Sequence, residues 1–152
     1  MDGKTRRILR TIAKSAELPL DEALRLARPF YGNHLDQYPL ALLIEEGYVG
    51  ISVTTPPPPG AEEMRELFLA ITLHMWSQPP DGNGEIHYQG IVSSGGMKFA
   101  DEKVFIKAKG GLYLDEMRQK RLDRLYSFLA GLLTGTAVAI FSAWGRSQLH
   151  LP

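Results

Sequence analysis

The sequence predicts an α+β soluble domain joined to a single C-terminal transmembrane helix. Two kinds of observation point to the domain. Apolar residues recur at helical spacing in short segments before Gly47, and short β-branched runs bounded by turn residues follow them. A third observation points to the membrane: "LYSFLAGLLTGTAVAIFSAWG", between Arg124 and Arg146, holds no charge in a chain otherwise rich in charge. The chain has 152 residues, enough for one domain with an appendage, and its 17 basic and 17 acidic residues cancel. Zero net charge gives no global pull toward nucleic acid or an anionic surface. With no cysteine, disulfides, thiolate metal sites and cysteine nucleophiles are excluded. The opening "MDGKTRRILRTIAKS" has charges throughout and no apolar h-region, so it does not read as a secretory signal.

Residues 4–15 place Ile8, Leu9, Ile12 and Ala13 at helical spacing, with basic residues between them, and predict a helix with a basic outer face. In "LPLDEALRLARPF", Asp21 and Glu22 suit a helix N-terminus and Leu24, Leu26 and Ala27 supply apolar positions, while Pro29 ends the helix. A third helix is expected in "NHLDQYPLALLIEEGYV", capped by Asp36, with Pro39 in its first turn and Gly47 at its end. "YVGISV" then alternates as a strand.

Three short helices running into "LLIEEGYV" and a strand resemble the winged-helix form of the helix-turn-helix domain. "KVFIKAKGGLYLDEMRQKR" adds to the resemblance, since it looks like the last strand of a wing followed by a C-terminal helix. The resemblance covers roughly residues 4–53 and 103–121, and its motifs are generic. It implies a winged-helix-like domain whose third helix enters the DNA major groove, if the domain reads DNA at all.

The middle departs from a plain wing. "TTPPPPG" favours extended polyproline II. "AEEMRELFLAITLHMW" puts Met64, Leu67, Phe68, Ile71 and Met75 on one helical stripe behind Glu62, Glu63 and Glu66, and a helix is expected. A strand is the rival, because Leu67, Leu69, Ile71, Leu73 and Met75 also alternate. "QPPDGNGE" reads as a turn, "EIHYQGIVSS" as a strand and "SGG" as another turn, so the insertion has the look of an elaborated wing. The expected divisions are 1–56 for the helical part, 57–102 for the Pro-flanked insertion, and 103–124 for the last wing strand and its helix. They continue with 125–145 for the transmembrane helix and 146–152 for a short tail.

From Leu125 to Trp144 there are 20 residues. At about 1.5 Å of rise each they cover about 30 Å, the thickness of a bilayer's hydrocarbon core. Leu125, Phe128, Leu132, Ile140 and Trp144 would face lipid, with Tyr126 and Trp144 at the interfaces. Arg118, Lys120, Arg121 and Arg124 precede the span and only Arg146 follows it. The positive-inside rule then predicts a single-pass protein of the cytoplasmic (inner) membrane with its N-terminal domain in the cytoplasm. Ser127, Gly131, Gly135, Ala139 and Ala143 recur every fourth residue on one helix face, and Gly131 with Gly135 forms a GxxxG, so a homo-oligomer through the span is expected.

The sequence shows no catalytic constellation, no cofactor motif and no metal-ligand spacing. His34, His74, His87 and His150 sit in separate elements. "GIVSSGGMK" has Gly90 and Gly95 at phosphate-loop spacing but Gly96 where the lysine belongs. The pairs Glu45–Glu46 and Glu62–Glu63 point in different directions on a helix and read as solvated faces. For DNA the candidates are Asn33, His34, Gln37 and Tyr38 near the third helix, with Arg6, Arg7 and Arg10 on the first helix for the phosphate backbone. Against this, no Lys or Arg lies between Arg28 and Arg65, and phosphate binding needs cations. Two non-enzymatic readings stand: a membrane-anchored adaptor or scaffold that docks a protein partner, and a membrane-tethered DNA-binding regulator.

Overall fold

The computed structural model describes residues 1–27, 30–53, 59–60, 62–94 and 101–149. The expected helix end at Pro29, the proline run up to Pro58, the Gly95–Gly96 turn and the end of the tail from His150 lie outside these residues. The chain divides into two units, Met1–Leu112 and Tyr113–Pro152.

The first unit is α+β. Helix α1, Gly3–Ser15, starts where Asp2 accepts a hydrogen bond from the Thr5 amide at 2.7 Å, which holds the Asp2 carboxyl below its ordinary range. It buries Thr5, Ile8, Leu9 and Ile12 on one face. Strand β1, Glu17–Pro19, follows directly, and α2, Leu20–Leu26, buries Leu20, Ala23 and Leu24. A 3-10 turn, His34–Gln37, leads into α3, Tyr38–Glu45, with Pro39 in its first turn. Gly47 ends this helix as expected: at φ +72° its N–H reaches the Ile44 carbonyl at 3.0 Å.

Asp36 does not cap the third helix. Its carboxylate turns back and accepts from the amides of Phe30, Tyr31 and Gly32 at 2.8–3.2 Å. The cap of the 3-10 turn is Asn33, whose side chain accepts from the Leu35 amide at 2.9 Å. A short acceptor near a helix start serves whichever unpaired N–H groups lie nearest, and here those belong to the preceding loop.

Strand β2, Val49–Ile51, pairs antiparallel with β5, Lys103–Ile106, in the register Gly50↔Phe105. β5 also pairs antiparallel with β1, Leu18 opposite Val104, so the sheet order is β1-β5-β2. The Phe105 ring occupies the place where a Cβ on Gly50 would stand.

The insertion belongs to the same unit. After a 3-10 turn at Glu62–Met64, α4 runs over Arg65–Trp76, which settles helix against strand for this segment. From Leu69 to Trp76 only Thr72 escapes burial, and the helix packs on α3 and the His34–Gln37 turn. "EIHYQGIVSS" is two strands and not one: β3, Glu85–Tyr88, and β4, Ile91–Ser94, form an antiparallel hairpin. The reason is its two-residue turn, Gln89–Gly90, where both residues take positive φ, 49° and 80°. Ile86 and Tyr88 of this hairpin pack against Leu67, Ile71 and Met75 of α4.

Helix α5 covers Ala108–Leu149 without interruption. Its first turn belongs to the first unit, where Gly110 lies so close to β2 that an added Cβ would meet the Tyr48 carbonyl oxygen. Most of its length forms the second unit.

Candidate functional site

Residues Ala108–Ser142 contain one stretch long and apolar enough to cross a membrane, with none of it buried. Leu125, Phe128, Leu132, Ile140 and Trp144 are all exposed, at 52% or more. Apolar exposure on this scale is far beyond the isolated surface leucines of a soluble protein. Three hydroxyls of the segment find acceptors within the helix. The hydroxyls of Thr134, Thr136 and Ser142 donate to the carbonyls of Ala130, Leu132 and Ala139 at 2.8–3.0 Å. In hydrocarbon such groups have no water to turn to, so an internal partner removes the cost of burying them in lipid. Ser127, Gly131, Gly135 and Ala139 are exposed, and a Cβ added at either glycine would meet nothing. The Ala143 side chain lies outside the described residues.

The residues considered for DNA reading scatter in role. Arg7 is exposed, while Arg6 and Arg10 are half-buried on α1. Asn33 is occupied as a cap. Gln37 is buried at 4% exposure; its amide nitrogen reaches the Leu24 carbonyl at 3.4 Å, and its Oε1 has no hydrogen-bond partner. Tyr38 is half-buried. On α3, Leu42 is exposed and Glu45 half-buried, and Glu46 just beyond the helix is exposed. Nearby cations are engaged: Arg65 with Glu45 at 3.2 Å, and Lys109 with Glu46 at 3.1 Å. Lys109 also donates to the Glu46 carbonyl at 2.6 Å and stands 4.5 Å from the Tyr48 ring centre.

What the sequence did not reveal is a junction of histidine and tyrosine. The Tyr88 hydroxyl of the hairpin accepts from the His34 amide at 3.2 Å and bonds His34 Nδ1 at 2.8 Å. The Tyr88 ring also meets the His74 ring edge-on, with centres 4.6 Å apart. His34 and His74, forty positions apart in sequence, are thus joined through one side chain of the insertion. His74 is buried, and burial holds its imidazole below the ordinary value; His34 acts in the same direction and Asp36 opposes it. A cavity of about 470 Å³ adjoins this junction, lined by Leu24, Asp36, Gln37, His74, Trp76 and Ser77 among others.

A second cluster sits at the start of the hairpin. His87 Nε2 lies 3.4 Å from Asp81 Oδ2 and 3.3 Å from Glu85 Oε2, and the three groups fall within 4.8 Å of one another. Asp81 Oδ1 accepts from the amides of Asn83 and Glu85, which hold this carboxyl below its ordinary range. The cluster is largely open to solvent, where such contacts are worth little.

Set against known protein families, curated proteins and solved structures, the chain matches none of them.

Proposed function

We propose that the chain is a membrane-anchored, winged-helix-like protein-interaction adaptor without enzymatic activity. The observation that carries this reading is the character of the outward side of α3, the helix that would read DNA in a winged-helix protein. It offers Leu42, Glu45 and Glu46, and its neighbouring cations Arg65 and Lys109 are bound to those carboxylates. With those cations already paired, such a surface offers little positive charge to phosphate and suits a protein partner. The winged-helix assignment draws its support from chain order. Helix α1, β1, α2, α3 and β2 precede β5, and β5 lies between β1 and β2.

The anchor in this reading is Leu125–Trp144, with the N-terminal unit on the cytoplasmic side of the inner membrane and the small-residue face pairing two copies. Its support is the uncharged length, the self-satisfied hydroxyls and the four cations that precede the span. A reporter active only outside the cytoplasm should be active when fused after Pro152 and silent at the N-terminus. The adaptor itself is tested by pull-down of the full chain from solubilised membranes, with protein and nucleic acid analysed together. A stoichiometric protein partner that survives nuclease treatment is expected; recovery of DNA alone would overturn the reading. The DNA-binding regulator remains as second reading because the α1 cations, described next, have no ion pair among the described residues.

A further inference from the structure

Helix α1 carries Lys4, Arg6, Arg7, Arg10 and Lys14, and among the described residues none of them is in an ion pair. Outside α1 the described cations divide: Arg25, Arg65, Lys103, Lys109 and Lys120 each meet a carboxylate, while Lys107, Arg118, Arg121 and Arg124 meet none among the described residues. Lys4, Arg7 and Lys14 are exposed and, at spacings of three and seven, lie along one side of the helix.

Beside this basic line stand two largely exposed aromatic side chains. Phe30 is 74% exposed and Tyr31 58%, and their rings meet edge-on at 4.8 Å. Lys4 Nζ lies 5.0 Å from the Phe30 ring centre, so cation and aromatic belong to one surface. A groove of about 380 Å³ continues it, lined by Lys4, Arg7, Ile8, Tyr31, Leu35 and Pro39 among others. Two carboxylates stand close by, Asp2 at the start of α1 and Asp36 on the groove wall, and both turn toward backbone amides. Asp2 accepts from Thr5, and Asp36 accepts from three loop amides.

We propose that this face, formed by the cations of α1 with Phe30 and Tyr31, docks on the anionic phospholipid surface of the membrane that anchors the chain. Charge complementarity selects the occupant: unneutralised Lys and Arg are drawn to anionic headgroups, and aromatic rings settle at headgroup level. Phosphate on DNA would satisfy the cations but leave both rings in water. The proposal rests on the anchor in the proposed function, because a tether holds the face at high effective concentration beside the bilayer.

The chain has no cysteine, so a Gly3→Cys variant of the full chain, at a position beside Lys4 where an added Cβ would meet nothing, takes a single environment-sensitive fluorophore. It is reconstituted in nanodiscs of phosphatidylcholine alone, or with about 30% phosphatidylglycerol. Blue-shifted emission and quenching by spin-labelled lipid are expected in the anionic discs only, and both should fade at about 0.5 M salt. Removing Lys4, Arg7 and Lys14 one by one as alanine should lower the docked-to-free ratio about five-fold each. Circular dichroism checks that these exposed substitutions leave the fold unchanged. Equal emission in both kinds of disc, or a signal indifferent to the alanine variants, would overturn the proposal. So would duplex DNA that displaces the lipid signal at about 0.15 M salt, which would assign the face to nucleic acid. The anchor is read separately by carbonate extraction. Full chain that resists extraction yet shows no anionic shift refutes the face alone. Chain that extracts yet floats only with anionic vesicles supports the face and refutes the anchor.

Discussion

Replacing Tyr88 by Phe removes one oxygen and tests whether the insertion is held to the helical part by the junction it forms. The ring stays, so its packing against Ile71 and Met75 and its edge contact with His74 persist. Two hydrogen bonds to His34 are lost, at 3.2 Å from the backbone amide and 2.8 Å from Nδ1. Each is worth about 0.5–1.5 kcal/mol, and because His34 is half-buried, water replaces part of the loss. The expected cost is about 1–2 kcal/mol, which lowers the melting temperature by about 5–10 °C. Amide hydrogen exchange at residues 85–94 should rise more than in β1 or β5. Acidification should act at the same place. His74 binds its proton less readily in the folded chain than in the unfolded one, because burial opposes the charge. Its contribution to stability is therefore complete above the ordinary histidine value of 6.5 and is lost as pH falls through the lower folded value. His74→Leu should flatten that dependence. Hairpin exchange unchanged both in Tyr88→Phe and at about pH 5 would refute the reasoning.

Full-length chain should sediment with membranes and resist carbonate, while a truncation after Lys120 should be soluble; full-length protein in the soluble fraction without detergent would remove the anchor. Enlarging Gly131 and Gly135 together to Leu keeps apolar length but blocks close approach of two helices, so crosslinked dimer should fall with insertion intact. An undiminished dimer yield would make the small-residue face incidental. Gly110→Ala should cost about 1–3 kcal/mol by thermal unfolding, since its Cβ would meet the Tyr48 carbonyl, a backbone atom that cannot swing aside, and Ile106 Cδ1 at 2.6 Å. A melting curve like that of the parent chain would show that α5 begins elsewhere in solution.

What the sequence made legible followed from local pattern. The apolar stripe of α1, the Gly47 stop and the uncharged C-terminal helix depend on neighbours within a few residues, and each appears where spacing placed it. Strand β1 was missed because it is three residues long, contains Pro19, and exists through pairing with β5. As an edge strand it tolerates a proline that a central strand would not. Asp36 was assigned to the wrong amides because either neighbouring segment could offer unpaired N–H groups. Nothing in the spacing of His34 and His74 announces Tyr88 between them; that meeting depends on where α4 packs. The helix-versus-strand ambiguity of residues 61–76 had the same origin, since both periods fit and burial of Leu69–Trp76 on most sides decides.

The middle strand of the three-stranded sheet is the last to be synthesised. Pro19 waits for Lys103 and Ile51 for Val104, so neither early strand has a hydrogen-bonding neighbour until nearly all of the first unit has been made. Until then the growing chain holds helices with an apolar side still looking for its sheet. The uncharged apolar stretch follows soon after, from Leu125. Sheet closure and delivery of the apolar helix therefore fall in the same interval of translation.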